Sequence, residues 1–249
     1  MKHFLFIFLF SISLIGFSQN ETLFEAGKEH YKNGKFQQAA QAWLQVLENG
    51  AHSASLYYNL GNAHYKLNQI GPSIYYYEKA LQLAPNNTDI KNNLAFAENA
   101  KIDVIEPLPK TLFSKWYNGI SGIFTYNGWA VTAVFFAILF AMLFLFYYFS
   151  LSEKRKRLFF SGSLICAVLL LGTLAMAFNT YGASQKQDPA IVFATQAQVK
   201  SEPNMGSNTA FTLHEGTKVE IIAKDADWAR IRLADGKDGW IPFSGLKRL

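Results

Sequence analysis

"ASLYYNLGNAHYKLNQIGPSIYYYEKALQLAPNN", residues 54–87, decides the fold of the first half of the chain. Shifted back by one period it lies on "NETLFEAGKEHYKNGKFQQAAQAWLQVLENGAHS", residues 20–53, without a gap. Gly27 then pairs with Gly61, His30-Tyr31-Lys32 with His64-Tyr65-Lys66, Phe36 with Ile70, Trp43 with Tyr77 and Leu47 with Leu81. Apolar residues recur at helical spacing in two runs per repeat, so each repeat is a pair of helices. Gly27 and Gly61 let the paired helices approach closely. Pro85 ends the second helix of its repeat. A third unit begins at "TDIKNNLAFAENAK", residues 88–101, where Thr88 or Asp89 can cap the helix. It then stops, and two and a half repeats are near the minimum for a stable array.

The period, with Tyr57, Leu60, Gly61, Tyr77, Ala80, Leu81 and Pro85, resembles the tetratricopeptide repeat over 20–87. The first repeat departs from the pattern, with Leu23 where an aromatic is usual and Ala51 in place of the proline. The resemblance implies an all-α helical-repeat domain over 20–101 (repeats 20–53 and 54–87, a partial unit 88–101). Such arrays hold peptides on the inner face of each first helix. By register those positions are Phe24, Lys28, Tyr31 and Lys32 in the first repeat and Tyr58, Asn62, Tyr65 and Lys66 in the second. Asn92, Phe96 and Asn99 follow in the partial unit. The lysines can pair with a carboxylate, and Asn62 can hydrogen-bond a peptide backbone. The same face can instead be solvated, or pack on the chain's own C-terminal segment. His30 and His64 occupy equivalent slots, but no third His or Cys has a matching place, so no metal is expected.

Half of the 249 residues are hydrophobic and 16% are charged. Much of the apolar content is concentrated in Phe4–Gly16, Gly128–Ser150 and Leu158–Phe178. The net charge of +5 comes mainly from Lys2 and from "SEKRKR", residues 152–157. A nucleic-acid binder would carry such an excess on a folded face; here it sits beside greasy segments. "MKHFLFIFLFSISLIGFSQ" has a positive start, an apolar core and then small residues, the layout of a secretory signal peptide over 1–18. An uncleaved anchor is the alternative, and both deliver residue 20 onward across a membrane. The runs 128–150 and 158–178 are each long enough to cross a bilayer as a helix. Short loops rich in Lys and Arg stay cytoplasmic. Lys154, Arg155, Lys156 and Arg157 therefore mark residues 151–157 as the cytoplasmic turn of a two-helix transmembrane hairpin. Both flanking segments then lie outside, in the periplasm of a bacterial inner-membrane protein. Cys166, the single cysteine, falls inside the second run as a small packing residue.

Between repeats and hairpin, residues 102–127 read as a linker broken by Pro107 and Pro109, followed by a juxtamembrane segment. Its Phe113, Trp116, Tyr117, Ile120, Phe124 and Tyr126 suit the outer membrane surface. After the hairpin, "NTYGASQKQDP" reads as a polar tether. From Ala190 the texture turns to short alternating strands separated by "HEG", "KDAD" and "ADGKDG". That pattern on so short a segment predicts a small, half-open β-barrel. "VKSEPN", "LHEGTKVEII" and "DWARIRLADGKDGW" stand in the order of a bacterial SH3-like domain, which residues 190–249 resemble. The resemblance implies an all-β module that binds cell wall or an envelope protein, with Trp228 and Trp240 as an aromatic groove.

No phosphate loop, dinucleotide fingerprint or metal-spaced cluster occurs, and His214 has no catalytic company, so no enzyme activity and no cofactor are expected. The whole order is signal peptide, helical repeats, basic-tipped hairpin, then SH3-like domain. In that order the chain resembles the BatE family of Bat aerotolerance proteins. The resemblance implies a noncatalytic membrane scaffold whose partners are other Bat membrane proteins in an assembly linked to oxygen tolerance or envelope stress. A peptidoglycan-binding sensor is the competing expectation.

Overall fold

The computed structural model describes residues 19–109, 111–186 and 188–249. The expected signal segment, residues 1–18, lies outside them. The chain forms two compact units: the helical repeats through Pro107 join Asp188–Leu249, and Leu108–Gln187 stands by itself.

In the first unit, helix α1 covers residues 19–32. It is followed by α2 (Phe36–Glu48), α3 (Ala54–Lys66), α4 (Ile70–Leu83) and α5 (Thr88–Asn99). The turns keep the register of the sequence. Gly34, with φ of +74°, lets the chain reverse between α1 and α2. Asn68, with φ of +56°, stands one period later between α3 and α4. Ser53 accepts from the Leu56 amide at 3.1 Å and starts α3. The start of α5 differs from expectation. Asn87, not Thr88 or Asp89, is the cap, because its extended backbone lets the side-chain oxygen accept from the Ile90 amide at 3.1 Å.

The glycine–aromatic pairs set the distance between paired helices. A Cβ on Gly27 would lie 2.3 Å from Trp43 Nε1, and one on Gly61 would lie 2.5 Å from Tyr77 Cδ1. Only hydrogen fits at either place. Trp43, Leu56, Leu60, Ile74 and Tyr77 are fully buried around these contacts. The buried Ser73 hydroxyl donates to the Gly61 carbonyl at 2.9 Å, tying α4 to α3.

The C-terminal part is a seven-stranded antiparallel sheet. Its strands are β1 (Pro189–Val192), β2 (Gln196–Lys200), β3 (Thr209–His214), β4 (Lys218–Asp225), β5 (Trp228–Arg232), β6 (Asp238–Pro242) and β7 (Leu246–Arg248). The hydrogen-bonded order is β3-β2-β6-β5-β4-β1-β7. Ala197 and Val199, Ala229 and Ile231, and Gly239 and Ile241 alternate inward along β2, β5 and β6.

Sheet and repeats are packed together. Ile191 of β1 belongs to the repeat core, with Phe193 and Leu249 against it. Residues 102–107, the start of the expected 102–127 linker and juxtamembrane segment, are fastened to the sheet. Ile105 packs on the sheet core. Asp103 accepts from the His214 amide and the Thr217 hydroxyl, both at 2.6 Å, and meets His214 Nδ1 at 2.8 Å. One carboxylate thus closes the β3–β4 turn onto the segment leaving the repeats.

The second unit holds α6 (Leu112–Ser121), α7 (Tyr126–Phe149) and α8 (Glu153–Lys186). Helices α7 and α8 are each long and apolar enough to cross a membrane. They pack along each other, with Phe146 on Phe159 and Tyr147 on Phe160 near the bend and Tyr126 on Tyr181 toward the other end. Two expectations change here. Lys154–Arg157 lie in the first turns of α8 rather than in an open turn, because the helix already starts at Glu153. The polar stretch after Phe178 is helical through Lys186, not a tether. Its Thr180 hydroxyl folds back to the Met176 carbonyl at 2.7 Å and leaves the backbone ladder intact.

Candidate binding surfaces

Three helices, α1, α3 and α5, line the inner face of the repeats. Tyr31, Asn62, Tyr65, Lys66, Tyr77, Asn93 and Phe96 surround a groove of about 170 Å³ on it. A polar network fixes its floor. Asn62 Oδ1 accepts from the Tyr77 hydroxyl at 2.6 Å and from Asn93 Nδ2 at 2.8 Å. Asn93 Nδ2 also donates to the Tyr58 hydroxyl at 2.9 Å. Burial and the neighbouring Tyr58 push the Tyr77 phenol above its ordinary range, so it stays a neutral donor. With its oxygen committed twice, Asn62 has its amide hydrogens left to offer a ligand.

Apolar side chains stand beside this floor in the open. Phe96 is 63% exposed and Tyr65 36% exposed. Tyr31 is held edge-on to Phe36 at 5.1 Å and tilted on Trp43 at 6.0 Å. Lys66 lines the groove and Lys32 is exposed, and neither makes an ion pair among the described residues. Lys28 is different: its ammonium pairs with Glu25 at 2.8 Å and lies over the Phe24 ring at 5.7 Å.

The eleven register positions therefore divide. Tyr31, Asn62, Tyr65, Lys66 and Phe96 line one groove, and Tyr58 supports it from beneath. Phe24 lines a separate recess with Asn20, His52 and Leu56. Lys28 and Lys32 lie outside both recesses. Asn92 and Asn99 are exposed and line neither recess. Register reasoning missed Asn93, one position along α5, which is the amide that turns toward α3. It also missed Tyr77, read only as a position of the repeat pattern, whose hydroxyl reaches the groove.

The opposite side of α4 receives the sheet. Glu215 accepts from the Gly71 amide at 3.3 Å, and Lys218 pairs with Glu78 at 2.7 Å. Tyr75 meets Phe193 edge-on at 5.5 Å, and the Lys247 ammonium lies over Tyr75, Phe193 and Tyr76 at 4.6, 5.3 and 5.6 Å. Burial lowers the Lys247 and His64 pKa values and raises that of Tyr76 to about 12. His64 stacks on Tyr76 at 5.3 Å and bonds Gln69 through Nδ1 at 2.6 Å. His64 is thus held through Nδ1 and its ring face, while its buried Nε2 has no hydrogen-bond partner among the described residues. Among the described residues no group of three His, Cys, Asp or Glu side chains is placed to hold a metal ion.

A further groove, of about 280 Å³, opens beside β2 and the end of β6. Gln196, Gln198, Lys200, Met205, Trp228 and Pro242 line it. Trp240 is not in its lining; it stands opposite Lys200 and Arg230 in the ladder. The two expected tryptophans thus occupy separate positions, and only Trp228 meets the cavity.

These surfaces belong to two known module types. Residues 24–88 match the tetratricopeptide repeat family, and residues 195–247 match the bacterial SH3 domain. The chain thus carries two noncatalytic binding modules, one of a protein-interaction family and one of a cell-wall-binding family. A Bacillus subtilis (strain 168) protein, YrvJ, named as an N-acetylmuramoyl-L-alanine amidase, is 26% identical over 78 residues. The match covers 31% of this chain and 15% of that protein, and it falls on the SH3 region. The structure of NlpC2 from Trichomonas vaginalis is similar to 25% of the chain, over 25% of its own length, at 18% identity and a TM-score of 0.23.

Proposed function

We propose that this chain is a noncatalytic membrane scaffold. Helices α7 and α8 anchor it as a hairpin, and the repeats with the SH3-like barrel are presented together in the periplasm. The topology rests on Lys154–Arg157, whose ammonium and guanidinium groups resist translocation and keep the bend cytoplasmic. The aromatic residues of α6, with Leu112, Phe113 and Trp116 largely exposed, suit a helix resting on the outer leaflet.

The observation that carries the binding role is the inner groove. Its polar floor is pre-set by the Asn62–Tyr77–Asn93 network, and exposed Tyr65 and Phe96 stand beside it. Pre-organised polar groups beside exposed aromatics suit an extended peptide segment of a protein partner. The order of the modules supports a place in a Bat aerotolerance or envelope-stress assembly, with other Bat membrane proteins as partners. Replacing the groove residues Tyr31, Asn62 and Tyr65 by alanine is expected to abolish co-purification with those proteins while the circular dichroism spectrum is kept. Unchanged co-purification removes the groove from the account.

A second reading is a peptidoglycan-binding sensor. The Trp228 groove supports it, as does a likeness that falls on the SH3 region of a protein named as an amidase. Sedimentation of the detergent-solubilised chain with purified sacculi, lost in Trp228→Ala, is the result this reading needs. No sedimentation of the wild-type chain rules it out.

A further inference from the structure

The junction between the repeats and the sheet contains one titratable group that the binding role does not use. His64 of α3 stacks on Tyr76 at 5.3 Å, and its Nδ1 meets Gln69 Oε1 at 2.6 Å. A carbonyl oxygen accepts, so Nδ1 carries the hydrogen and Nε2 the lone pair. Nε2 is closed to solvent and has no hydrogen-bond partner among the described residues. A neutral imidazole tolerates this place. An imidazolium would bury an N–H donor and a charge there with nothing to receive either.

The surroundings raise that penalty. The Lys247 ammonium of β7 lies over Tyr76, the ring on which His64 stacks, at 5.6 Å, and over Tyr75 and Phe193 at 4.6 and 5.3 Å. Lys79 of α4 lies over Tyr75 at 5.9 Å. Tyr57 of α3 stacks on Tyr76 at 6.3 Å, and its hydroxyl meets His52 Nδ1 at 2.7 Å. The carboxylates at this junction are committed elsewhere, Glu78 to Lys218 and Glu215 to the Gly71 amide. Among the described residues no acid pairs with His64, Lys79 or Lys247. A proton on His64 therefore adds a third cation to an aromatic cluster without a counter-ion. Lys247 and Phe193 bring the β1–β7 edge of the sheet to this cluster, and Ile191 and Leu249 of the same edge reach the repeat core.

We propose that His64 is a proton-operated latch between the repeats and the sheet. Neutral, it lets the β1–β7 edge seat on α4. Protonated, it repels Lys247 from the shared rings and loosens that edge, so the two modules move more freely in acid. Burial, with a smaller push from Lys247, holds the His64 pKa below the ordinary histidine value against the opposing bond to Gln69. An undocked His64 takes its proton at the ordinary value. Docking is therefore fully supported above that value and loses support as the pH falls from it to the lowered one. One proton changes the docking equilibrium about tenfold per pH unit within that window.

Double electron–electron resonance on the full chain in detergent reads the latch. Spin labels sit at two exposed positions, Gln41→Cys on α2 and Ala234→Cys after β5, in a Cys166→Ala background. One narrow distance is expected above the ordinary histidine pKa, and a broadened one below the lowered value. His64→Gln, which stays polar but takes no proton, should be narrow at both. The Asp103 contacts are present in both chains and cancel in the comparison. A wild-type distance unmoved by acid overturns the latch, and so does a His64→Gln distance that moves as wild type does. If His64→Gln is already broad in neutral medium, histidine NMR of the wild-type chain decides. The His64 ring, assigned through its contact with Tyr76, must then titrate with the same midpoint as the distance change, and separate midpoints overturn the proposal.

Discussion

The two complete repeats share a register and differ in what they do with it. In the first, Trp43 Nε1 ends on the Phe24 carbonyl at 3.1 Å and closes the repeat on itself. In the second, the equivalent Tyr77 passes the same glycine contact and carries its hydroxyl into the groove. The outer faces differ in the same sense. Gln37 and Gln41 of α2 are exposed, whereas their equivalents Gly71 and Tyr75 of α4 are buried. Helix α4 is therefore a shared wall, with the groove on one side and the sheet on the other. The repeat supplies the frame, and the substitutions that break its symmetry place the binding surfaces.

The comparison can be broken most severely at Trp43. Trp43→Ala should cost about 3–5 kcal/mol, since nothing nearby can fill the space of a fully buried indole. Denaturant unfolding of the detergent-solubilised chain measures it.

Asp103→Asn acts only on the second repeat's side. Losing hydrogen bonds to a charged acceptor should cost about 1.5–3 kcal/mol. Burial alone would raise the Asp103 pKa, but bonds from Thr217 and from the His214 ring and amide outweigh it and hold the carboxyl below its ordinary range. The stability it contributes is therefore complete above the ordinary aspartate pKa and is lost as the pH falls through the lower folded value. Unfolding measured across that acidic window should slope in wild type and lose this part of the slope in Asp103→Asn.

Gly61→Ala and Gly27→Ala sharpen the contrast. Each forces an aromatic ring to shift, at about 1–3 kcal/mol. Only Gly61→Ala should also weaken partner binding, because only Tyr77 reaches the groove; equal losses in both would erase the distinction. Tyr77→Phe is the mildest change. It removes one donor to Asn62, about 1 kcal/mol, and should lower partner affinity without altering the helices seen by circular dichroism.

The helices of the repeat were legible because their signals are local. A fixed period, glycine opposite an aromatic and a proline after a helix all lie within a few turns of one another. The β-strands were legible from alternation, and family matches support both module types. What stayed hidden depends on distant approach. Asp103 sits in "IDVIEPLP", which has no helical or strand period and reads as linker, and its partners His214 and Thr217 are 111 and 114 residues away. The run "SIYYYEKA" did carry a hint. It is aromatic on more faces than one groove can use, and the docked sheet explains the surplus. Asn93 escaped because the register marks a position on a helix, not the tilt that turns the next side chain inward. The split of Trp228 from Trp240 follows from their ladder partners, which alternation alone does not reveal.

The central claim, that the inner face of the second repeat holds a protein partner, is tested most directly by site-specific photo-crosslinking in intact membranes. A photoreactive residue at position 96, on the groove, and another at position 41, on the outer face of α2, provide the pair. The account predicts one discrete adduct from position 96, lost when Asn62 and Tyr65 are replaced by alanine, and none from position 41. Adducts of the same partner from both positions, or from position 41 alone, would contradict it.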